Sequence, residues 1–347
     1  MVPIKSKNEK LKNHQCPCGS SRTFGQCCFN NSNKRLAFIL FSGAYNIFNK
    51  QAKEAASSEN SMWNVQKKHI AQFLSKSLKE SGKHSNLKVA ILGAGNCEDI
   101  PLNLIVQSFN KIDLIDIDIE AILAVKNRLP KEQQRKVRCI WRDLTGLYSD
   151  LVSEVLYYLE NNRVNNAYEV LEKFYESPRV KKPLHSRYDL VISINTVSQL
   201  FYPSLLNCVQ ALQSLGKLPA QSIPLSNLLS IAQDISNEII PVQHLNLLHS
   251  IVKTNGKVFH STDRLEWGDS GYNIKSPVTD MVDSLEDLFN PDIQSLCKQK
   301  GYTITGSNTE AYYTELFSLD NHAQWLWHFS KDRVYLVEGF MLSPKQI

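Results

Sequence analysis

Long hydrophobic runs are missing from this sequence. Its most apolar stretch extends from Leu36 to Phe41 and is ended by Ser42 and Gly43, whereas a membrane-crossing helix needs roughly 20 apolar residues. The amino terminus lacks the pattern of a secretory signal, in which a basic segment precedes an apolar one. No internal repeat or low-complexity segment is present. We therefore expect a soluble protein of the cytoplasm without a membrane partner.

Acidic residues are nearly absent from the first 53 positions. Glu9 stands there against nine lysines and arginines, a net charge of +8 in a chain whose total is +5, which leaves −3 for the rest. A body of that sign is not suited to hold nucleic acid, but the basic amino-terminal segment could contact RNA, the ribosome or an acidic protein. The alternative is a tail that only increases solubility.

Four of the eight cysteines lie close together near the amino terminus: Cys16, Cys18, Cys27 and Cys28. In a chain without a secretory signal, such clustering favours thiolates around a metal over disulfides, and four sulfur ligands favour zinc. The segment CPCGSSRTFGQCC closely resembles the SEC-C motif, with Phe24 in the aromatic position. All four ligand positions of that motif match, and only its second glycine is replaced, by Ser21.

A buried strand that runs into a tight glycine turn starts at Lys88. Val89 to Leu92 form an apolar run, and Gly93 and Gly95 then allow a sharp turn. A dinucleotide fingerprint would need a third small residue where this chain has Glu98. The carboxylates of Glu98 and Asp99 suit a cofactor with a positive charge better than a diphosphate.

These residues resemble the class I S-adenosylmethionine-dependent methyltransferases, which have a degenerate glycine turn and an acid at the end of the second strand. The resemblance implies that Asp116 binds the ribose, that Asp143 binds the adenine, and that the Gly93 to Asp99 turn surrounds the methionine part of the cofactor. The cofactor site that it implies consists of Gly93, Gly95, Asn96, Cys97, Asp99, Asp116, Ile117, Asp143, Leu144 and Asn195.

Strand and helix patterns alternate after Lys88, which predicts βαβ units and a parallel sheet. The pattern predicts strands at 88–92, 112–118 and 137–141 with helices at 99–109 and 119–129 between them. The family resemblance implies a fourth strand at 188–195, a helix at 244–253, a turn at 255–257 and a fifth strand from 258. It also implies antiparallel sixth and seventh strands, at YTITGSN (302–308) and from Arg333. The fold class is thus α/β, a Rossmann-like, mostly parallel seven-stranded sheet with helical insertions and a small amino-terminal zinc knuckle.

With 347 residues, 42% of them hydrophobic, the chain can bury one large core and a small accessory unit. We expect the knuckle and basic leader at 1–33, a helical linker or cover at 34–87, and a methyltransferase domain at 88–347 with insertions at 147–187 and 201–241. Helices at 35–51 and 62–80 either cover the cofactor or pack the knuckle against the body. The stretch 88–342 should suffice for cofactor binding.

The fourth strand ends in Asn195-Thr196-Val197-Ser198, without the Asn/Asp-Pro-Pro-aromatic segment of amine methyltransferases. His260 or Asp263 could act as a general base, and Asn195 and Gln199 could orient the substrate. The methyl acceptor and the catalytic residues stay unidentified. Two other functions remain open, a zinc-knuckle adaptor that binds the cofactor without turnover, and an oxidoreductase that uses a dinucleotide.

Overall fold

The computed structural model describes residues 11–57, 63–80, 86–179, 184, 186–268, 309–330 and 333–346. The sixth strand predicted at 302–308 lies outside these residues. In the described part, the strands are β1 (Lys88–Leu92), β2 (Lys111–Asp116), β3 (Val137–Trp141), β4 (Tyr188–Ile194), β5 (Val252–Gly268), β6 (Phe317–Ser330) and β7 (Arg333–Pro344).

The seven strands form one sheet in the order β3-β2-β1-β4-β5-β7-β6. The first five run parallel to one another, and β7 is inserted antiparallel between β5 and β6. The α/β, Rossmann-like, mostly parallel fold predicted from the sequence is therefore confirmed. Because the first four strands of this order share one direction, their carboxyl ends meet at a single edge of the sheet.

In the described part of the chain, helices precede β1, connect the parallel strands and precede β6. They are α1 (Ser32–Ala56), α2 (Trp63–Glu80), α3 (Leu102–Ser108), α4 (Ile119–Arg128), α5 (Lys131–Gln134), α6 (Ser153–Glu160), α7 (Val164–Glu176), α8 (Tyr202–Ser214), α9 (Ile223–Asp234), α10 (Ile240–Ile251) and α11 (Thr309–Leu316). Short π-helical turns precede α6 and α10.

Two predicted boundaries are wrong for reasons of backbone chemistry. Helix α3 begins at Leu102 and not at 99, because Pro101 disfavours helical backbone at Ile100 and itself takes the N-cap position. The turn predicted at 255–257 is a bulge within β5, where the pairing with β4 passes from Tyr188 to Leu190 while β5 advances by several residues. Gly256 is needed there, since a Cβ would lie 2.9 Å from the Tyr188 carbonyl oxygen.

A buried ionic network joins four neighbouring strands. Asp113 on β2 is 3% exposed and accepts two hydrogen bonds from Arg138 on β3, at 2.9 and 2.7 Å. The Tyr188 hydroxyl on β4 donates to the same carboxylate at 2.8 Å, and the Lys88 ammonium on β1 lies 3.4 Å away. Three donors thus compensate the cost of burying one carboxylate.

The knuckle shares the core of the sheet domain. Phe24 is fully buried, with its ring centroid 5.1 Å from Trp141 at the end of β3 and 4.7 Å from Phe38 on α1. Trp141 in turn donates from Nε1 to the Ile117 carbonyl at 2.8 Å. The aromatic residue of the cysteine-rich motif is therefore one of the contacts that attach the knuckle to the sheet.

We expect Asp113→Ala to lower the free energy of unfolding by about 1 to 3 kcal/mol, because the buried Tyr188 hydroxyl loses this acceptor. Urea denaturation followed by circular dichroism measures this. Glu160→Gln is the control, since Glu160 pairs with Lys217 at the surface, where such pairs contribute about 0 to 1 kcal/mol. Equal losses in the two variants would contradict the role given to Asp113.

Candidate functional site

The turn after β1 has a backbone that requires small residues. Gly93, Gly95 and Cys97 have φ angles of +62°, +46° and +52°. A Cβ on Gly93 would lie 2.6 Å from Thr196 Cγ2, and one on Gly95 would lie 2.7 Å from Asn49 Oδ1. Both glycines therefore serve conformation and close packing at once.

Asp116, at the end of β2, fixes this turn. One carboxylate oxygen accepts the Gly95 N–H at 2.8 Å, and the other accepts the Asp118 N–H at 2.7 Å. A carboxylate oxygen can accept a second hydrogen bond, so each retains capacity for a ligand hydroxyl. Burial raises the pKa of Asp116 to about 7, although the N–H groups of Asp118 and Gly95 oppose that rise.

Two further carboxyls lie at the same edge. Asp143 follows β3 and accepts the Thr145 N–H at Oδ1 and the Tyr148 N–H at Oδ2, both at 2.8 Å. Burial raises its pKa, against the effect of these hydrogen bonds. Burial also raises the pKa of Asp99, in the segment after the glycine turn, to about 6. Titratable groups with a shifted pKa often cluster at ligand-binding sites.

All ten residues predicted for the cofactor line one cavity. Its further lining residues include six that the sequence analysis did not place there: Tyr45, Asn49, Ala52, Trp63, Arg142 and Trp327. The cavity has a volume of about 90 Å³, whereas ligand pockets usually span roughly 300 to 1,000 Å³.

Helix α1 is the part of the wall that covers the glycine turn. Asn49 donates from Nδ2 to Asp118 Oδ2 at 3.0 Å, and its carbonyl accepts the Asn96 side chain at 2.6 Å. The Tyr45 hydroxyl donates to the Gln199 carbonyl at 2.9 Å. The same helix carries Phe38, so it both covers the cavity and packs the knuckle. No motif marks Tyr45 or Asn49 in the sequence, because their role depends only on how the helix lies against the sheet.

Asn195, just past the end of β4, has a backbone that is unusual for a non-glycine residue, with φ +46°. Its amide oxygen accepts the Ser261 hydroxyl at 3.0 Å, and its N–H donates to the Ser261 carbonyl at 2.9 Å. Within the described residues its Nδ2 has no hydrogen-bond partner, although the side chain lines the cavity. Gln199 lines the cavity too and donates to the Asn195 carbonyl at 3.1 Å.

The two residues considered as a general base lie elsewhere. His260 is fully buried beside His244 and Phe340, and burial lowers its pKa to about 4, which keeps it neutral. Asp263 accepts the Ser198 hydroxyl at 2.7 Å. Neither side chain is among those that line the cavity.

The four clustered cysteines have the arrangement of a metal site. Their sulfur atoms all lie within 4.8 Å of one another, with 3.3 Å from Cys16 to Cys18, 3.6 Å from Cys18 to Cys27 and 3.9 Å from Cys27 to Cys28. A tetrahedral ion with sulfur ligands at about 2.3 Å requires sulfur separations of about 3.8 Å, while a disulfide requires about 2.05 Å. The four thiols thus fit one tetrahedral ion.

Comparison with known proteins gives fold likenesses only. No protein-family model and no curated protein matches the sequence. Among solved structures, the chain is similar to magnesium protoporphyrin IX methyltransferase from Synechocystis PCC 6803 with bound S-adenosylhomocysteine, at 10% identity and a TM-score of 0.42, over 91% of this chain and 100% of that one. It is also similar to the N-methyltransferase NodS from Bradyrhizobium japonicum WM9 in complex with S-adenosyl-l-homocysteine, at 10% identity and a TM-score of 0.38, over 85% and 98%. A third is the PH0226 protein from Pyrococcus horikoshii OT3, at 11% identity and a TM-score of 0.41, over 84% and 93%. No residue's role in this chain follows from likenesses at this level.

The raised pKa of Asp116 predicts how stability changes with pH. The folded protein holds this proton up to about pH 7, whereas the unfolded chain releases it near pH 4, so unfolding releases a proton between these values. The free energy of unfolding should therefore fall as the pH rises through this range, by up to about 4 kcal/mol from this group.

Urea denaturation of the ligand-free protein at pH 5.5, 6.5 and 7.5 measures the slope. Asp116→Asn cannot titrate and should lose this part of the slope, whatever its absolute stability. An identical slope in the variant would show that Asp116 is ionised throughout.

Proposed function

We propose that this protein is an S-adenosylmethionine-dependent methyltransferase whose acceptor is unidentified. One observation carries the proposal: a sheet of order β3-β2-β1-β4-β5-β7-β6 brings the glycine turn, Asp116, Asp143 and Asn195 to a single cavity at the carboxyl ends of its parallel strands. Ligands of open α/β sheets bind at this edge. The ten residues implied by the family resemblance are then the cofactor residues.

Each group at this edge has a definite task in the proposed reaction. The cofactor, when bound, supplies a methyl group on a positively charged sulfur. Asp116 has free acceptor capacity for the ribose hydroxyls, and Asp143 lies where the adenine would be held. Asn195 lines the cavity with an Nδ2 donor that has no partner among the described residues, and helix α1 with Trp63 excludes water. Positioning and desolvation of this kind are the main contributions that a protein makes to such a displacement.

The charges of the turn argue against a dinucleotide cofactor. Asp99 is half-buried at the cavity wall, and a diphosphate there would face its carboxyl and that of Asp116. Glu98 is less decisive than its position in the sequence indicates, because it pairs with Arg128 at 2.7 Å. A sulfonium and an amine suit these carboxyls better than a diphosphate does.

Binding without turnover is the second candidate. It is favoured because neither His260 nor Asp263, the two proposed general bases, is among the residues that line the cavity. Calorimetry with S-adenosylmethionine, S-adenosylhomocysteine and NAD decides between the cofactors. Transfer of a labelled methyl group to cell extract, separated into small molecules, RNA and protein, decides between turnover and binding alone.

We further propose that the ion at the four cysteines is zinc and that the basic amino-terminal segment binds an acidic protein or ribosomal RNA. Lys12 and Arg35 both lie over the Phe29 ring, at 4.4 and 5.4 Å from its centroid, so that positive charge lies beside the knuckle.

Among the helices of the described residues, none has the length and apolar character that crossing a membrane requires.

Asp116→Ala should weaken S-adenosylhomocysteine binding by about ten- to a hundredfold, since hydrogen bonds to a charged group contribute roughly 1.5 to 3 kcal/mol. Calorimetry measures the affinity, and circular dichroism verifies that the variant is folded. Asp150→Asn is the matched control, because Asp150 is half exposed and pairs with Lys34. Unchanged affinity in folded Asp116→Ala would refute the assignment of Asp116.

Protein purified without chelators should contain one zinc ion per chain by elemental analysis. Cys27→Ser should release the ion and lower the midpoint of thermal unfolding, because metal binding contributes on the order of 10 kcal/mol to the folding of small zinc units. Cys139→Ser is the control, since this half-buried thiol on β3 lies outside the cluster and contacts the Ile122 carbonyl. Full zinc content in Cys27→Ser would disprove the four-cysteine site.

A further inference from the structure

Arg142 lies between the cysteine cluster and the cofactor cavity. The residue is only 6% exposed, and it lines the cavity next to Asp143. On its other side is Gly19, where a Cβ would come within 2.9 Å of Arg142 Nη1. Gly19 directly follows Cys18 and has a φ of +90°. The guanidinium therefore lies against the backbone that wraps the proposed metal.

This guanidinium has donors without acceptors. Within the described residues, Nε and Nη1 are buried and have no hydrogen-bond partner. Burial lowers the pKa of Arg142, while the nearby charges of Cys18, Cys16 and Asp143 oppose that shift. Burying a cation is costly when its donors lack acceptors, and negative charge nearby offsets part of that cost. A zinc ion with four thiolate ligands keeps a net negative charge and would place it beside this guanidinium.

The backbone of the same residues joins the two sites directly. The Asp143 N–H donates to the carbonyl of Pro17, between Cys16 and Cys18, at 3.0 Å. The Arg142 N–H donates to the Asp116 carbonyl at 2.9 Å. The backbone at Arg142 and Asp143 is thus hydrogen-bonded on one side to β2, which carries the proposed ribose-binding residue Asp116. On the other side it is hydrogen-bonded to the loop of the cysteine cluster.

We propose that Arg142 is a positioning residue that couples the metal centre to the cofactor site, its guanidinium interacting by charge with the metal-bound thiolates of the knuckle while its backbone holds Asp143 at the adenine end. The inference rests on the proposed function. Metal ligands are commonly oriented by such outer hydrogen bonds. The sequence predicts that residues 88–342 suffice for cofactor binding, and this stays a prediction. The proposed coupling predicts the opposite, that these residues alone do not suffice.

Coupling between two binding sites is reciprocal. If the metal raises cofactor affinity by some factor, the cofactor raises metal affinity by the same factor, and typical factors are about 5 to 150. Metal loading should therefore strengthen S-adenosylhomocysteine binding, and S-adenosylhomocysteine should retard loss of zinc. A residue with a merely structural role would not produce the second effect.

The test uses the full chain, zinc-loaded or depleted by a chelator under reducing conditions. Calorimetry with S-adenosylhomocysteine should show at least about fivefold weaker binding after depletion and recovery when zinc is returned. In the zinc-loaded state, Arg142→Met should show the same loss, and Arg142→Lys should recover part of it because charge is kept without the planar fork. Transfer of zinc to a chromogenic chelator should slow when S-adenosylhomocysteine is added to wild type, but not when it is added to Arg142→Met.

Arg138→Met is the matched control. It removes an arginine from β3, the strand that Arg142 directly follows, and Asp113 keeps the Tyr188 hydroxyl and the Lys88 ammonium as partners. We expect its affinity for S-adenosylhomocysteine and its zinc transfer to stay within about twofold of wild type, less than about 0.5 kcal/mol.

The coupling would be overturned if folded Arg142→Met bound S-adenosylhomocysteine within twofold of the wild-type affinity. It would also be overturned if S-adenosylhomocysteine did not change the rate of zinc transfer from wild type. If depletion unfolds the protein, the zinc-loaded variants decide the question. If zinc-loaded wild type binds neither S-adenosylhomocysteine nor S-adenosylmethionine, the proposed function fails as well. The two failures are distinct, because the first leaves wild-type binding intact.

Discussion

The shared direction of β3, β2, β1 and β4 is the constraint on which the rest of the structure depends. Leu92 pairs with Ile115 on one side and Ser193 on the other, and Asp116 pairs with Trp141. The loops that follow these strands must therefore emerge together. Without that register, the glycine turn, the acids and the knuckle would have no common location.

The sequence predicted this edge of the sheet well, because parallel strands leave long apolar runs and each run ends in a recognisable residue. Asp116 and Asp143 could be placed since the chain position of a strand end fixes its spatial position once the sheet is parallel. The sixth strand could not be placed in the same way. Strand β6 has a burial pattern with many exposed positions, so the weak apolar signal of an edge strand did not distinguish it from loop.

The docking of the knuckle could not be predicted from the sequence either. The cysteine spacing specifies a metal loop, but nothing in the spacing says which surface Phe24 will meet. That surface is formed by Trp141 and Phe38, which come from distant parts of the chain. Arg142 was missed for the same reason, since a lone arginine after a strand has no local signature. Tertiary packing, and not a local sequence pattern, determines the surroundings of both Phe24 and Arg142.

The contact between Phe24 and Trp141 also has a consequence for biosynthesis. The knuckle leaves the ribosome first, and its docking strand follows more than about a hundred residues later, an interval of several seconds at about 5 to 20 residues per second. During that time Phe24 has no partner in the sheet. A metal ion bound early would hold the knuckle in its final shape. The emerging strand would then meet a preformed surface. Docking would close the long loop between the two segments, and they would not need to fold simultaneously.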